Sequence, residues 1–138
     1  MVFNLDKWSQ FVKESKRKPD PNDSEEVVKV VLVNDDGKIL ILKGPHNWEL
    51  PGGHLHKGED PISGLKREVD EEVGLNLGKV NKVAVKEKRA IYKGNLPSGE
   101  IKLSSEHTEY KFISSSELDD YDLKKIYKDT IRGKGHDE

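Results

Sequence analysis

The chain has 138 residues, a length that suits one domain with a genuine hydrophobic core but not two. Its formal net charge of −2 excludes a general attraction to nucleic acid or membranes, and the absence of cysteine excludes disulfides and thiolate chemistry. No segment approaches the roughly 20 apolar residues that a membrane-spanning helix needs. We therefore expect a cytoplasmic protein without a signal peptide or a membrane partner.

The first predicted element is an amphipathic helix, because Leu5, Trp8, Phe11 and Val12 recur at helical spacing. A charged connector broken by two prolines follows it, so that helix and connector together occupy about residues 1–24. The sequence does not indicate what this helix does; a dimer contact is one option, and both a monomer and a homodimer stay open.

Two β-branched runs within residues 26–44 flank Asp35-Asp36-Gly37, a pattern typical of a β-hairpin. Residues 45–60 are rich in glycine and proline and predict an irregular loop with room for a short strand. Asp60 and Pro61 then predict the start of a helix, as N-cap and first helical residue, and Gly74 predicts its end.

Further strands are predicted from Val80 to Tyr92 and from Tyr110 to Ile113, with a turn at residues 96–100 between them. Residues 114–133 predict a C-terminal helix capped by Ser115 or Ser116, and residues 133–138 a frayed tail. Strands around one strong helix, with another helix at the end, predict a single α/β (α+β) domain over residues 1–138 that contains a mixed sheet.

The central helix carries an unusual concentration of acids in REVDEEVGL, residues 67–75. Ile62, Leu65, Val69 and Val73 form its apolar stripe, while Glu68, Glu71 and Glu72 share a neighbouring face and Asp70 points elsewhere. Like charges at this spacing repel, and acids near the C-terminus oppose the helix dipole. A surface acidic face and a site for Mg²⁺ or Mn²⁺ are both compatible with this arrangement.

The flanking residues favour the metal site. Gly53 is followed after five residues by Glu59, and after seven more by REVDEEVGL. This resembles, at every specified position, the signature of the Nudix hydrolases, in which a glycine and a glutamate precede R-E-U-x-E-E-x-G-U, with U aliphatic. The motif covers about a sixth of the chain, and WELPG, residues 48–52, resembles the family's usual lead-in.

The resemblance implies an α/β/α sandwich and a metal-dependent attack of water on a pyrophosphate bond of a nucleoside diphosphate-linked substrate. By motif position, Glu68, Glu71 and Glu72 correspond to the metal-binding and catalytic acids, with Mg²⁺ or Mn²⁺ as cofactor. The carbonyl of Gly52 corresponds to a backbone metal ligand. Glu59 and Arg67 correspond to a pair that braces the loop against the helix.

Two alternatives for the general base stay open, because members of the family use either the glutamate matching Glu68 or one from a later loop. Residues 104–118 resemble the segment before the last strand of nucleotide pyrophosphohydrolases. Glu106 is therefore a candidate base and metal ligand, with Glu109 and Glu100 behind it.

Candidate substrate contacts are weaker predictions, since each residue also has an ordinary structural explanation. They are Trp48, His54, Lys86, Arg89 and Tyr92. Tyr92 lies 17 residues beyond the motif, near where diadenosine polyphosphate hydrolases commonly carry a tyrosine. Nucleoside triphosphates, dinucleoside polyphosphates and an RNA 5′ end all stay open, and so does a non-catalytic Nudix-fold module that senses nucleotides.

Overall fold

The computed structural model describes residues 26–133, so the predicted N-terminal helix, its connector and the predicted tail beyond Gly133 lie outside the described residues. Seven strands, two α-helices and one 3₁₀ helix make up this part of the chain. They are β1 (Val27–Val33), β2 (Ile39–Lys43), β3 (Trp48–Glu49), β4 (Gly52–His54), α1 (Pro61–Val73), β5 (Val80–Lys86), β6 (Arg89–Asn95), β7 (Glu109–Ile113), the 3₁₀ helix (Ser115–Asp120) and α2 (Lys125–Ile131).

The strands form one mixed sheet in the order β3-β2-β1-β6-β5, with β4 added to β1 and β7 added to β2. The β1–β6 pair is parallel and the other pairs are antiparallel. Strand β4 pairs with the first residues of β1, Val27–Lys29, whereas β2 pairs with β1 at its far end, where Val33 lies opposite Ile39. Strands β2 and β4 therefore pair with different ends of β1, on the same edge of that strand.

The predicted hairpin between β1 and β2 is confirmed. The Asn34 side-chain oxygen accepts hydrogen bonds from the backbone N–H groups of Asp36 and Lys38, at 3.0 and 2.9 Å. Gly37 adopts φ +78°, a left-handed conformation that favours glycine. Local turn chemistry is enough to explain this element.

Helix α1 begins and ends where the sequence predicts. The Asp60 carboxylate accepts a hydrogen bond from the Ser63 N–H, Pro61 is the first helical residue, and Gly74 closes the helix at φ +72°. Leu65, Val69 and Val73 are fully buried against one sheet face. The clustered acids lie on a face next to this buried stripe, and Glu72 is itself buried.

The C-terminal region differs from the prediction of one helix capped by Ser115 or Ser116. It forms the 3₁₀ helix and α2, separated by an extended residue at Tyr121, and the N-cap of the first is Ser114. A continuous helix would place Leu118 about 140° from Leu123 and about 180° from Tyr127, at 100° per residue. The break allows all three to be buried on the second sheet face.

The segment predicted as strand from Val80 to Tyr92 is a hairpin of β5 and β6, and the second strand extends to Asn95. Its turn places Glu87 and Lys88 at φ +55° and +65°. Neither residue type signals a left-handed turn, so the sequence did not reveal it. Within residues 26–133, no helix is both long enough and apolar enough to span a membrane.

Candidate active site

Two glycines allow strand β4 to lie directly against the acidic end of α1. A Cβ at Gly52, which has φ +131°, would overlap the carbonyl oxygen of Val28. A Cβ at Gly53 would lie 2.6–2.8 Å from the carboxylate atoms of Glu68. At Gly52 only glycine therefore permits the close approach of β4 to β1, whereas a side chain at Gly53 would displace the Glu68 carboxylate.

Glu72 is the most buried of the three clustered glutamates, with 7% of the residue exposed. Its Oε1 accepts a hydrogen bond of 2.9 Å from the Gly52 N–H. Burial raises the pKa of Glu72 to about 7, although the Gly52 N–H and the charge of Lys29 act to lower it. A carboxylate is therefore held where its charge is costly in the absence of a cation.

Arg67 ties the loop before α1 to the acids of the helix. Its Nε and Nη2 donate to the two carboxylate oxygens of Glu59 at 2.8 and 3.0 Å, and Nη2 also donates to the His54 carbonyl at 3.2 Å. The hydrogen bonds from Arg67 and from the His56 N–H lower the pKa of Glu59 to about 2. This two-point contact is the arrangement that rigidly positions a loop.

The same guanidinium also contacts Glu68 and Glu71, so one positive charge is shared among three carboxylates. Nη1 of Arg67 lies 3.2 Å from Glu68 Oε2 and 3.2 Å from Glu71 Oε1. Consequently the carboxylates face Arg67 and Gly52, and among residues 26–133 no three acidic or histidine side chains are already gathered around one point. Arg67 contacts one carboxylate oxygen of Glu68 and one of Glu71.

A network of buried polar side chains lies next to Gly52, and the sequence analysis did not predict it. Lys29 is only 5% exposed, and its ammonium donates to Glu49 Oε1, the Leu50 carbonyl and the Gly52 carbonyl. The other Glu49 oxygen lies 2.8 Å from Nε2 of His107, which is 7% exposed. The signal in the sequence was a lysine inside the otherwise apolar strand VVKVVLV.

The carboxylates of Glu68, Glu71 and Glu72 and the carbonyl of Gly52 are the kinds of oxygen ligand that Mg²⁺ and Mn²⁺ prefer. The Gly52 carbonyl already accepts a hydrogen bond from the Lys29 ammonium, so the fit to a metal rests on the three carboxylates. The residues present therefore fit the metal expected from the resemblance.

The loop carrying Glu106 passes the last turn of α1. Its Lys102 N–H donates to the Val73 carbonyl at 2.8 Å, and its Ser104 N–H donates to the Glu72 carbonyl at 3.0 Å. Glu106 follows two residues later, with an exposed side chain and its N–H bonded to Ser104 Oγ. The fold thus brings this candidate base to the same end of the helix as Glu72.

The predicted substrate contacts are dispersed. Trp48 packs edge-on against Tyr121 with 5.3 Å between ring centroids, and Arg89 donates to the Tyr127 hydroxyl at 3.1 Å. Tyr92 is 4% exposed within the core beneath α1, so its ring does not reach a ligand on the surface.

The side chains of His54 and Lys86 are exposed. Of the two residues, only His54 is connected to the acids, because its backbone carbonyl accepts a hydrogen bond from Arg67. Glu100 and Glu109 are also exposed. Two concavities of about 490 and 400 Å³ lie around Val33, at the other end of β1, and none of the candidate residues lines them. The candidate residues therefore lie away from these two concavities.

Known structures share this architecture. A MutT protein from Methanosarcina mazei superposes with a TM-score of 0.65 at 24% identity, covering 83% of this chain and 94% of that one. An ADP-ribose pyrophosphatase from Streptococcus suis superposes with a TM-score of 0.60 at 24% identity, covering 67% and 76%. At these identities the likeness shows the fold, and it confirms the predicted mixed sheet with helices.

Sequence relatives point the same way. A MutT-like protein of Streptomyces ambofaciens is 34% identical over 102 residues, covering 64% of this chain and 62% of that protein. An RNA pyrophosphohydrolase of Acinetobacter baylyi is 46% identical over 50 residues, covering 35% and 30%. The chain thus spans less than two thirds of either relative. The sequence model of the NUDIX domain matches residues 23–132, and the chain accordingly belongs to the Nudix hydrolase family.

Proposed function

We propose that this protein is a metal-dependent pyrophosphohydrolase that cleaves a nucleoside diphosphate-linked substrate by attack of water on phosphorus. The observation that carries the proposal is the buried Glu72 carboxylate, held against the Gly52 N–H beside Glu68 and the Arg67–Glu59 pair. A protein that only needed a stable helix would gain nothing from burying this charge.

Glu68, Glu71 and Glu72 would hold Mg²⁺ or Mn²⁺, and Glu106 is a further candidate ligand from its loop. The Gly52 carbonyl, the backbone ligand that the resemblance implies, accepts a hydrogen bond from the Lys29 ammonium. When bound, such an ion neutralises charge on the phosphates and makes water more acidic. Arg67 keeps Glu68 and Glu71 within reach while the loop stays braced through Glu59. Proton removal from water falls to Glu68 or, from the loop beside the helix, to Glu106 or Glu109.

Four substrate classes are candidates for this site. Relatives named as MutT-like protein, RNA pyrophosphohydrolase and ADP-ribose pyrophosphatase suggest a nucleoside triphosphate, a 5′-triphosphorylated RNA end, or ADP-ribose as probes, and dinucleoside polyphosphates complete the panel. The buried position of Tyr92 removes the observation that favoured dinucleoside polyphosphates in particular.

The test is turnover of this panel by the full chain with Mg²⁺ or Mn²⁺, with products analysed in H₂¹⁸O to identify the attacked phosphorus. Activity that is lost in Glu72→Gln and retained in Asp70→Asn would support the proposal, because Asp70 is exposed on the same helix. Tight binding of one compound without any turnover would instead support a nucleotide sensor.

A further inference from the structure

Lys29 places an ammonium group in the interior of the protein, with only 7% of its side chain exposed. Its three donors have three oxygen acceptors, namely the Leu50 carbonyl at 3.0 Å, the Gly52 carbonyl at 3.2 Å and Glu49 Oε1 at 3.3 Å. Two carbonyls and a carboxylate form the kind of oxygen donor set that binds hard cations. The ammonium therefore occupies a position formed by three oxygen acceptors, and each of its donors has a partner.

This position overlaps the proposed metal site through one residue. The Gly52 N–H donates to Glu72, and the Gly52 carbonyl, the backbone ligand implied by the family resemblance, accepts from Lys29. A divalent ion on that carbonyl would lie close to a fixed positive charge and be repelled by it. The backbone of Lys29 is held in place, because Lys29 lies opposite Gly52 where β1 pairs with β4.

The third acceptor is also held by the protein itself. The second oxygen of Glu49 lies 2.8 Å from His107 Nε2, so the carboxylate is bound on both sides by buried groups. Nδ1 of His107 has no hydrogen-bond partner among the described residues. Glu49 is thus committed to Lys29 and His107.

We propose that Lys29 is a built-in cation that occupies the position at the Gly52 and Leu50 carbonyls, so that the chain binds one divalent ion fewer than its oxygen donors would otherwise hold. The inference rests on the proposed function for the ions carried by α1. The Gly52 carbonyl then serves Lys29, and Glu68, Glu71 and Glu72 hold the divalent ions.

The experiment counts bound Mn²⁺ per full-length chain, from the EPR signal of free Mn²⁺, in wild type and five variants, one of which is Glu72→Gln. Lys29→Met should bind one Mn²⁺ more than wild type, and the additional change Glu49→Gln should remove that ion. Lys29→Arg and Lys93→Met, the latter an exposed lysine on the same sheet, should match wild type. A folded Lys29→Met protein with the wild-type stoichiometry would overturn the inference.

A measurement on the wild type covers the case in which Lys29→Met does not fold. The side-chain ¹⁵N resonance of Lys29 should keep its slow proton exchange when Mg²⁺ is added to saturation. Rapid exchange after Mg²⁺ addition would mean that the ion displaces the ammonium, and the inference would be wrong.

The same counts separate this inference from the proposed function. Mn²⁺ binding that Glu72→Gln weakens, with no extra ion in Lys29→Met, would refute only the role of Lys29. No bound Mn²⁺ in wild type, with one in Lys29→Met, would support the role of Lys29 and refute metal-dependent hydrolysis. No Mn²⁺ in either protein would refute both.

Discussion

Glu72→Gln should stabilise the metal-free protein at alkaline pH while abolishing turnover. The substitution keeps a side-chain oxygen for the Gly52 N–H and removes the buried charge. The pKa of Glu72 is raised above its unfolded value, so the wild type is most stable when this carboxyl is protonated. Its stability should fall as pH rises from about 4.5 to about 7, and glutamine has no such loss.

The magnitude follows from the pKa itself. A rise from 4.5 to about 7 corresponds to about 3 kcal/mol, since each pH unit between the two values contributes about 1.4 kcal/mol. The free energy of unfolding of Glu72→Gln relative to wild type should therefore increase by about 3 kcal/mol between pH 4.5 and pH 8. The attraction between Glu72 and Lys29 is already included in this pKa, so it needs no separate correction.

Urea unfolding in EDTA, followed by far-UV circular dichroism at several pH values, measures this difference. Asp70→Asn removes one charge from an exposed position of the same helix, and its pH profile should run parallel to wild type. Excess Mg²⁺ should stabilise wild type more than Glu72→Gln. If the free energy of unfolding had the same pH dependence in Glu72→Gln and wild type, the argument that burial destabilises the charged form of Glu72 would be refuted.

Substitutions at Gly52, Arg67 and Asp60 test the contacts that hold strand β4, the loop and helix α1 in place. Gly52→Ala should cost more than about 3 kcal/mol or prevent folding, because its Cβ overlaps the Val28 carbonyl, whereas Gly37→Ala, in open space, should cost about 1 kcal/mol in thermal unfolding. Arg67→Lys should lower kcat about 10- to 100-fold with an unchanged far-UV spectrum, because lysine cannot make the two-point contact with Glu59; wild-type kcat would contradict the bracing role. Asp60→Ala should lower stability by about 1 kcal/mol and Asp60→Ser should restore most of it, with equal stability of all three proteins counting against the cap.

The sequence by itself determined the features that depend on neighbouring residues. The Asp35-Asp36-Gly37 hairpin and the limits of α1 at Asp60 and Gly74 follow from turn and capping chemistry, which acts within a few residues. The motif from Gly53 to Leu75 identified the family because all its specified residues lie within one short stretch of the sequence. The sequence showed Lys29 as a charged residue within an apolar strand, but it gave no indication of the partners of Lys29.

Only the tertiary structure decided which distant groups share the interior. The break at Tyr121 arises because Leu118 and Tyr127 must reach one sheet face, and Tyr92 is buried because β6 lies beneath α1. The contacts of Lys29 with residues 49–52 exist because β4 enters the sheet beside β1. Such contacts depend on how strands pair across the fold, and no local propensity encodes that pairing.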